Sequence, residues 1–289
     1  MVGLVRSARP LQWVKNVLVF AAPGAAGVLD NWTSASKALL VFAACCLASS
    51  GCYLWNDVFD VGSDRLHPVK RLRPVASGLV TLPAAATVGT ALIAAGCGVA
   101  ALAGRWQTVA VLGVYVASTM AYTVWLKHVA VVDLVVVASG FVLRAAIGAV
   151  AVDVEMSSWF VLCTVFGSLF IVTGKRYAEL REIGDGASEV RRTLGDYSTG
   201  YLRIVLTLAC GATLLTYCQW AFETKELADT EWPFYELSII PMLTALLRYL
   251  LVVENGQGAA PEEVFARDRV LQLLGLCWVV VFALGVYLR

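Results

Sequence analysis

The sequence predicts an all-α protein that crosses a membrane nine times. Of its 289 residues, 59% are hydrophobic and only 15% are charged, and the mean hydropathy is +0.75. Soluble domains carry about 25% charged residues. The apolar runs are continuous and reach the roughly 20 residues of a spanning helix, whereas strands of a membrane barrel alternate over about ten residues. With a net charge of +1, this composition excludes a soluble multidomain enzyme, a disordered chain and a nucleic-acid-binding protein.

Nine apolar segments define the predicted spans. The first follows Arg6 and Arg9 and looks like a signal peptide, but Lys15 and Asn16 interrupt its apolar run, so we interpret it as a span. We expect the nine helices to enclose a central cavity that opens to the cytoplasm and to lipid. The segments are 11–29, 36–57, 83–104, 106–126, 129–151, 157–178, 200–222, 233–253 and 269–288.

Basic residues are concentrated on one side of the predicted helices. Seventeen of the 22 lysines and arginines lie on the side of the N-terminus, which the positive-inside rule assigns to the cytoplasm. The long polar connections on that side are 58–82 and 179–199, and we expect both to be active-site loops of a single domain, 1–289. The eight cysteines lie in apolar runs without a CxxC or Cys/His cluster, so we interpret them as packing residues.

The end of the second span carries a stripe of acidic residues. Asn56, Asp60 and Asp64 follow one another at four-residue intervals, and Asp57 adds a further carboxylate. One helical face therefore carries three carboxylates and an amide. Acids this close repel one another unless a cation lies between them, and a few hard oxygen ligands suit a Mg²⁺ ion that also binds substrate phosphates. The alternative is an ordinary solvated helix end.

Basic residues follow this stripe directly. Lys70 and Arg73 can bind phosphate oxygens, the arginine as a bidentate fork. A diphosphate is the simplest ligand that would satisfy both the metal and these cations. Taken alone, the residues from Lys70 to Arg73 are equally well explained by membrane topology or by anionic lipid. Their position beside the acids favours a functional role.

The pattern NDxxDxxxD followed by KxxRPxxxG, in a chain of nine predicted helices, resembles the UbiA superfamily of intramembrane prenyltransferases. Within it, RPLQWVKNVLVFAAP at 9–23, the extended motif from Asn56, GKRYAEL at 174–180 and DYSTGYLR at 196–203 are similar to the decaprenyl-phosphate phosphoribosyltransferases. The resemblance implies a UbiA-like fold in a bacterial inner membrane, with its site facing the cytoplasm. It also implies transfer of 5-phosphoribose from 5-phosphoribosyl 1-diphosphate to decaprenyl phosphate, a polyprenyl phosphate, with release of diphosphate, on the route to cell-wall arabinan.

The loop after the sixth span bears on the branch of the superfamily. Members that prenylate aromatic acceptors have a second aspartate-rich motif there, whereas GKRYAELREIGDGASEVRRTLGDYS lacks a DxxxD. The sequence therefore gives no support for a second magnesium site, and the basic residues suit a co-substrate that brings its own phosphates. Lys175 and Glu179 are alternatively a simple i,i+4 ion pair. Glu179 and Glu182 are also candidates to contact ribose hydroxyls or metal-bound water.

The predicted site residues fall into three groups. Asn56, Asp60 and Asp64 are expected to be catalytic and, with Asp57, to bind Mg²⁺. The residues expected to bind phosphate are Lys15, Arg65, Lys70, Arg73, Lys175 and Arg176, and the candidate substrate contacts are Tyr177, Glu179, Arg144 and Arg203. Lys15 alternatively snorkels to the membrane interface. Arg144, in the middle of a span, alternatively meets another helix.

The expected nucleophile is a phosphate oxygen of the lipid, which is anionic at neutral pH and needs no strong general base. Two alternatives stay open at this point. A UbiA-type prenyltransferase would move an isoprenyl group from its diphosphate to an aromatic acceptor, and a secondary transporter would use the acids and the arginine for ion coupling. Small residues such as Gly96, Gly98 and Gly104 permit a homo-oligomer, a trimer included, without requiring one.

Overall fold

The computed structural model describes residues 2–67, 69–183, 192–228 and 231–288. Over these residues the regular structure is helical and contains no strand. The chain divides into two compact units, Met1–Glu155 and Met156–Arg289. The predicted all-α class is confirmed for the described residues, whereas the single domain 1–289 stays a prediction.

Among the described residues, eight helices are long and apolar enough to cross a membrane. They correspond to the second to ninth predicted spans, and they identify the chain as an integral membrane protein. The eight helices are Trp32–Phe59, Leu82–Ala101, Trp106–Val124, Val132–Val152, Ser158–Glu182, Thr199–Ala228, Phe234–Glu254 and Arg269–Tyr287.

The first unit contains seven α-helices and three 3₁₀ helices in its described residues. Two of the long helices begin at polar caps: the side chain of Asn31 accepts from the N–H of Thr33, and that of Thr81 accepts from the N–H of Ala84. The α-helices are α1 (Val2–Ser7), α2 (Ala21–Ala25), α3 (Trp32–Phe59), α4 (Val61–Leu66), α5 (Leu82–Ala101), α6 (Trp106–Val124) and α7 (Val132–Val152). The 3₁₀ helices are Pro10–Phe20, Lys70–Leu72 and Leu126–His128.

The first predicted span, 11–29, differs from the prediction. It forms the eleven-residue 3₁₀ helix Pro10–Phe20 followed by the short α2. Asn16 and Val19 are the buried residues of the 3₁₀ helix, and Ala22 and Pro23 are those of α2. The three-residue interval between Asn16 and Val19 matches one turn of a 3₁₀ helix. The described residues therefore contain eight long α-helices where the sequence predicts nine spans.

Close backbone contacts hold the first unit together. A Cβ atom on Gly148 of α7 would lie 1.8 Å from the carbonyl oxygen of Val19 in the 3₁₀ helix. A Cβ on Gly51 of α3 would lie 2.5 Å from the carbonyl oxygen of Gly89 in α5. Only glycine permits these approaches, which bring the N-terminal segment against α7 and α5 against α3, the helix that carries Asn56 and Asp57.

The second unit contains seven helices in its described residues. The side chain of Asp268 caps the last of them by accepting from the N–H of Leu271 at 2.9 Å, and it pairs with Arg248 at 2.9 Å. The hydrogen bond from Leu271, followed by that from Arg248, lowers the pKa of Asp268 below its usual value. The helices are α8 (Ser158–Ile183), α9 (Arg192–Gly195), α10 (Thr199–Ala228), α11 (Phe234–Leu237), α12 (Ile239–Glu254), α13 (Pro261–Arg267) and α14 (Arg269–Tyr287).

Candidate functional site

The acidic motif lies at the junction of α3 and α4. The N–H of Asp60 donates to the carbonyl of Asn56 at 2.9 Å, and the N–H of Asp64 donates to the carbonyl of Asp60 at 2.8 Å. Helical hydrogen bonding therefore continues through the junction, although α3 ends at Phe59 and Asp60 adopts φ −90° and ψ 1°. The near-continuous helix keeps the predicted four-residue spacing.

Asn56 and Asp60 form the first pair of the motif. Asn56 Nδ2 donates to Asp60 Oδ2 at 3.1 Å, and Asn56 Oδ1 accepts from the Thr123 hydroxyl at 3.4 Å. Lys127, in the 3₁₀ helix Leu126–His128, donates to Asp60 Oδ1. The end of α6 and the turn after it thus orient this pair, and Lys127 neutralises its carboxylate.

Asp57 and Asp64 form the second pair through a shared arginine. Arg73 Nη1 lies 2.7 Å from Asp64 Oδ2 and 3.6 Å from Asp57 Oδ1. Arg9 Nη2 donates to Asp57 Oδ1 at 2.5 Å. The Asp57 and Asp64 side chains are only 2% and 4% exposed. Buried charges are strongly unfavourable without a partner, and the two arginines supply the opposite charges for these two carboxylates.

The motif is chemically suited to Mg²⁺, although it is not the single stripe that the spacing predicts. In the part of the chain that the structure describes, no group of three or more acidic, His or Cys side chains converges on one point. The reason is that Asp60 turns to Lys127, whereas Asp57 and Asp64 turn to Arg73. Mg²⁺ needs only one or two carboxylates where phosphates and waters complete its shell. Asp57 and Asp64 are two such carboxylates, and the Arg73 nitrogen near both shows that they can share one cation. The metal-binding role of the motif stays a prediction.

A cavity of about 300 Å³ adjoins Asp57. Small-molecule pockets begin at about this volume. Four of the side chains in its lining are basic and one is acidic, so an anion is the ligand that the cavity favours. Its charged and polar side chains are Arg6, Ser7, Arg9, Asp57, Lys70 and Arg73. Lys70 and Arg73 thus both line this cavity, and their phosphate-binding role stays a prediction.

The turn that carries Lys70 is shaped by His67. Its Nδ1 accepts from the N–H groups of Val69 and Lys70, at 3.1 and 3.2 Å. Partial burial, and then the charge of Lys70, lower the pKa of His67 below its usual value, which favours the neutral ring that can accept these bonds. His67 thus has a local structural role.

Arg65 and Lys15 occupy other positions. Arg65 Nε donates to the carbonyl of Ala76 at 3.2 Å, which braces the turn before α5. Lys15 is half-buried on the 3₁₀ helix Pro10–Phe20. Neither belongs to the cavity lining among the described residues, so their phosphate-binding role stays a prediction.

The second predicted motif lies on α8, which continues to Ile183. Residues 179–183 of the predicted loop 179–199 are therefore helical, and residues 184–191, with Arg191, lie outside the described residues. Arg176 Nη1 donates to Glu179 Oε2 at 2.7 Å, and Lys175 Nζ lies 3.8 Å from Glu179 Oε1. The alternative i,i+4 ion pair between Lys175 and Glu179 is therefore present, with Arg176 as the closer partner of Glu179.

Tyr177 and Arg203, two candidate substrate contacts, meet in the second unit. The fully buried Tyr177 donates to Glu254 Oε2 at 3.0 Å and accepts from Arg203 Nη2 at 2.9 Å. Arg203 Nε also lies 3.2 Å from Glu254 Oε1, and Arg181 donates to the backbone carbonyl of Glu254. These contacts tie α8, α10 and α12 together at one end.

The sequence model of the UbiA prenyltransferase family matches residues 17–275. The chain belongs to the UbiA prenyltransferase family. It is 42% identical to the decaprenyl-phosphate phosphoribosyltransferase of Corynebacterium glutamicum, covering 99% of this chain and 87% of that protein. It is 45% identical to the enzyme of the same name from Mycobacterium tuberculosis, covering 96% and 92%.

Solved structures of other UbiA proteins share the fold. A UbiA homolog from Archaeoglobus fulgidus bound to DMAPP and Mg²⁺ aligns with a TM-score of 0.76 at 14% identity, covering 99% of both chains. The same homolog bound to GPP and Mg²⁺ aligns with a TM-score of 0.72 at 15% identity, covering 98% of both chains. The resemblance and the fold predicted from the motifs are thereby confirmed.

In this UbiA family member, Arg144 lies in a buried network of the first unit. It is 6% exposed, and its guanidinium donates to Asn16 Oδ1, to the Tyr115 hydroxyl and to the carbonyl of Gly140, each at 2.8 Å. The alternative in which Arg144 meets other helices is the one observed. The network joins α6 and α7 to the 3₁₀ helix Pro10–Phe20, and a substrate contact for Arg144 stays a prediction.

Three residues that contact the predicted site residues were not predicted as site residues from the sequence. Arg9 and Lys127 neutralise Asp57 and Asp60, and Glu254 joins Tyr177 to Arg203. Each lies far along the chain from its partner. The only signal for Arg9 is its place at the start of RPLQWVKNVLVFAAP, a segment that also carries the resemblance.

Proposed function

We propose that this chain transfers 5-phosphoribose from 5-phosphoribosyl 1-diphosphate to decaprenyl phosphate, releasing diphosphate and supplying a precursor of cell-wall arabinan. The observation that carries the proposal is the cavity in which four basic side chains adjoin Asp57, which shares Arg73 with Asp64. Both proposed substrates bring phosphates that suit such a cavity, whereas an aromatic acceptor brings none. The near full-length similarity to two decaprenyl-phosphate phosphoribosyltransferases supports the same reaction.

The acidic motif supplies the metal site in this proposal. Asn56, Asp57, Asp60 and Asp64 would hold Mg²⁺, whose charge would neutralise the diphosphate as it leaves the ribose. The structural relatives bound to Mg²⁺ and an isoprenyl diphosphate support a divalent ion in this fold.

The basic side chains bind and orient the phosphates. Arg9 and Arg73 each present a planar fork that suits phosphate oxygens, and Lys70 adds a mobile point charge. In the present structure these arginines neutralise Asp57 and Asp64. If these arginines turned to the substrate phosphates, the oxygens of Asp57 and Asp64 would be free to hold the metal, and no charge would be left unpaired.

The reaction then needs alignment more than proton transfer. The bond between C1 of the ribose and the diphosphate oxygen breaks, and diphosphate leaves with the electron pair. A new bond forms between C1 and an oxygen of the lipid phosphate, which is already anionic. Developing positive charge on the ribose is stabilised by nearby carboxylates, and holding the two phosphates in line lowers the entropic part of the barrier.

The membrane setting follows the charge distribution of the chain. The basic side of the protein, which includes Arg6, Arg9 and Lys70, would face the cytoplasm of a bacterial inner membrane. Phosphoribosyl diphosphate is water-soluble and highly charged, so it must reach the site from that side. Lys175 and Arg176 lie in the second unit, and their proposed phosphate role is tested separately.

Proteoliposomes that contain the protein, Mg²⁺, decaprenyl phosphate and radiolabelled phosphoribosyl diphosphate provide the test. We expect label in the organic phase. In vesicles prepared from native membranes, we expect labelled lipid only when the vesicles are inverted, because the donor cannot cross a membrane. A parallel incubation with an isoprenyl diphosphate and 4-hydroxybenzoate examines the alternative reaction. Prenylation of the aromatic acceptor without a labelled lipid would overturn the proposal.

A further inference from the structure

Ser7 lines the basic cavity, and its buried hydroxyl has no hydrogen-bond partner among the described residues. It is the last residue of α1 and is 1% exposed. Its Oγ contacts no donor or acceptor in the part of the chain that the structure describes. The residue belongs to the lining that also contains Arg9, Lys70 and Arg73. None of the motifs that predict the site includes Ser7.

The backbone around Ser7 is held in place. A Cβ on Gly3 would lie 2.9 Å from Val80 Cγ2, so the start of α1 packs closely against the segment before α5. After α1, the Ser50 hydroxyl donates to the carbonyl of Ala8 at 3.0 Å, and Trp13 Nε1 donates to the Ser50 oxygen at 3.0 Å. These contacts restrain the backbone on both sides of Ser7, so the residue stays in the cavity lining and its hydroxyl has little freedom to reach another protein partner.

A buried hydroxyl without a partner is unfavourable, so the occupant of the cavity should supply one. The lining is rich in cations, which favours an anionic oxygen as acceptor. A serine hydroxyl donates well to a phosphate oxygen, and hydrogen bonds to charged groups are stronger than neutral ones. Charge and hydroxyl therefore require the same kind of ligand.

We infer that Ser7 is a phosphate-binding residue, whose hydroxyl donates to a phosphate oxygen of the substrate in the basic cavity. The inference rests on the proposed function and adds a residue outside the acidic and basic motifs. Two substrates carry the required chemistry, the phosphoribosyl diphosphate donor and the polyprenyl phosphate acceptor. The residue should contribute mainly to substrate binding, because its hydroxyl does not touch the acids that are expected to hold the metal.

The test compares Ser7→Ala with Thr108→Val. Thr108, in α6, is a fully buried hydroxyl that also lacks a partner among the described residues, and it does not belong to the cavity lining. We expect Ser7→Ala to raise the KM of one substrate about tenfold or more with little change in kcat, the pattern of a lost binding contact. Thr108→Val should leave both kinetic constants unchanged. The substrate whose KM rises identifies the source of the phosphate.

A second measurement separates this inference from the proposed function. Inorganic diphosphate should raise the Tm of the detergent-solubilised protein, and Ser7→Ala should reduce that shift whereas Thr108→Val should not. This comparison remains valid even if the wild-type protein transfers no phosphoribose, which would refute the proposed function alone. If the protein is active and Ser7→Ala matches Thr108→Val in both KM values and in the diphosphate shift, Ser7 pairs with water alone and the inference is wrong.

Discussion

Replacing Asp64 with asparagine should remove most of the activity and leave the protein folded. The Asp64 side chain is 4% exposed and lies 2.7 Å from Arg73, which keeps Asp57 as a second partner at 3.6 Å. Because Asn has nearly the same volume and Arg73 is not left without a carboxylate, we expect a loss of about 1–3 kcal/mol in folding free energy. Loss of one charged ligand from the reacting site should cost at least about 2.7 kcal/mol of transition-state stabilisation, or about a hundredfold in kcat/KM.

Asp153→Asn is the matched control for this experiment. Asp153 also pairs with an arginine, Arg105 at 2.6 Å, but its side chain is 74% exposed. Its φ of +62° is one that asparagine adopts readily, so its substitution should change stability by no more than about 1 kcal/mol. The assay is kcat/KM for both substrates over a range of Mg²⁺ concentrations, with Tm measured in detergent. Wild-type turnover by Asp64→Asn at limiting Mg²⁺ would refute the metal-binding role of Asp64.

Three further predictions concern other parts of the chain. Arg176→Ala and Lys175→Ala should each raise the KM for a phosphate-bearing substrate about tenfold or more, since a phosphate contact is charge-assisted. Less than a twofold change in every kinetic constant of both variants would show that these residues only pair with Glu179. Gly148→Ala should lower the Tm strongly or prevent accumulation in membranes, because the new Cβ would lie 1.8 Å from a carbonyl oxygen. Gly113→Ala, where a Cβ meets open space, should do neither, and equal Tm values for the two variants would contradict the close approach at Gly148. Asp268→Asn should lower the Tm at pH 7, because the pKa of Asp268 is lowered in the folded protein and its carboxylate therefore stabilises the fold. The Tm difference between wild type and variant should shrink as the pH falls below about 4, where this carboxylate becomes protonated, and a difference independent of pH would contradict this assignment.

The spanning helices could be predicted because their signal is local. A continuous apolar run of about 20 residues can satisfy its backbone in a membrane only as a helix, and eight such runs are helices in the structure. The first segment shows where this reasoning stops. Hydropathy shows that these residues are apolar but does not distinguish an α-helix from a 3₁₀ helix, so the eleven-residue 3₁₀ helix Pro10–Phe20 becomes visible only in the folded chain.

The site could be predicted only in part, for a similar reason. The spacing predicts that Asn56, Asp60 and Asp64 follow one another at four-residue intervals, and the near-continuous helical hydrogen bonding from α3 into α4 keeps that spacing. The basic residues that pair with these acids come from distant parts of the chain: Lys127 is 67 residues from Asp60, and Arg9 is 48 residues from Asp57. Spacing within a segment carries no information about such pairs, since they depend on how α6 and the N-terminal segment pack against α3.

Arg9 shows how much of the site depends on that packing. It adopts φ 52° and ψ 61°, a left-handed conformation that costs a non-glycine residue about 1–3 kcal/mol. Pro10 disfavours a right-handed helical conformation at the residue before it, so α1 cannot simply continue into the 3₁₀ helix. The turn directs the guanidinium to Asp57 at 2.5 Å and over the ring of Tyr53 at 4.9 Å. Removing one partner from a buried ion pair typically costs about 3–5 kcal/mol, which exceeds the backbone strain. The buried charge of Asp57 therefore stabilises the turn at Arg9, and the N-terminal segment and the acidic motif depend on each other as parts of one site.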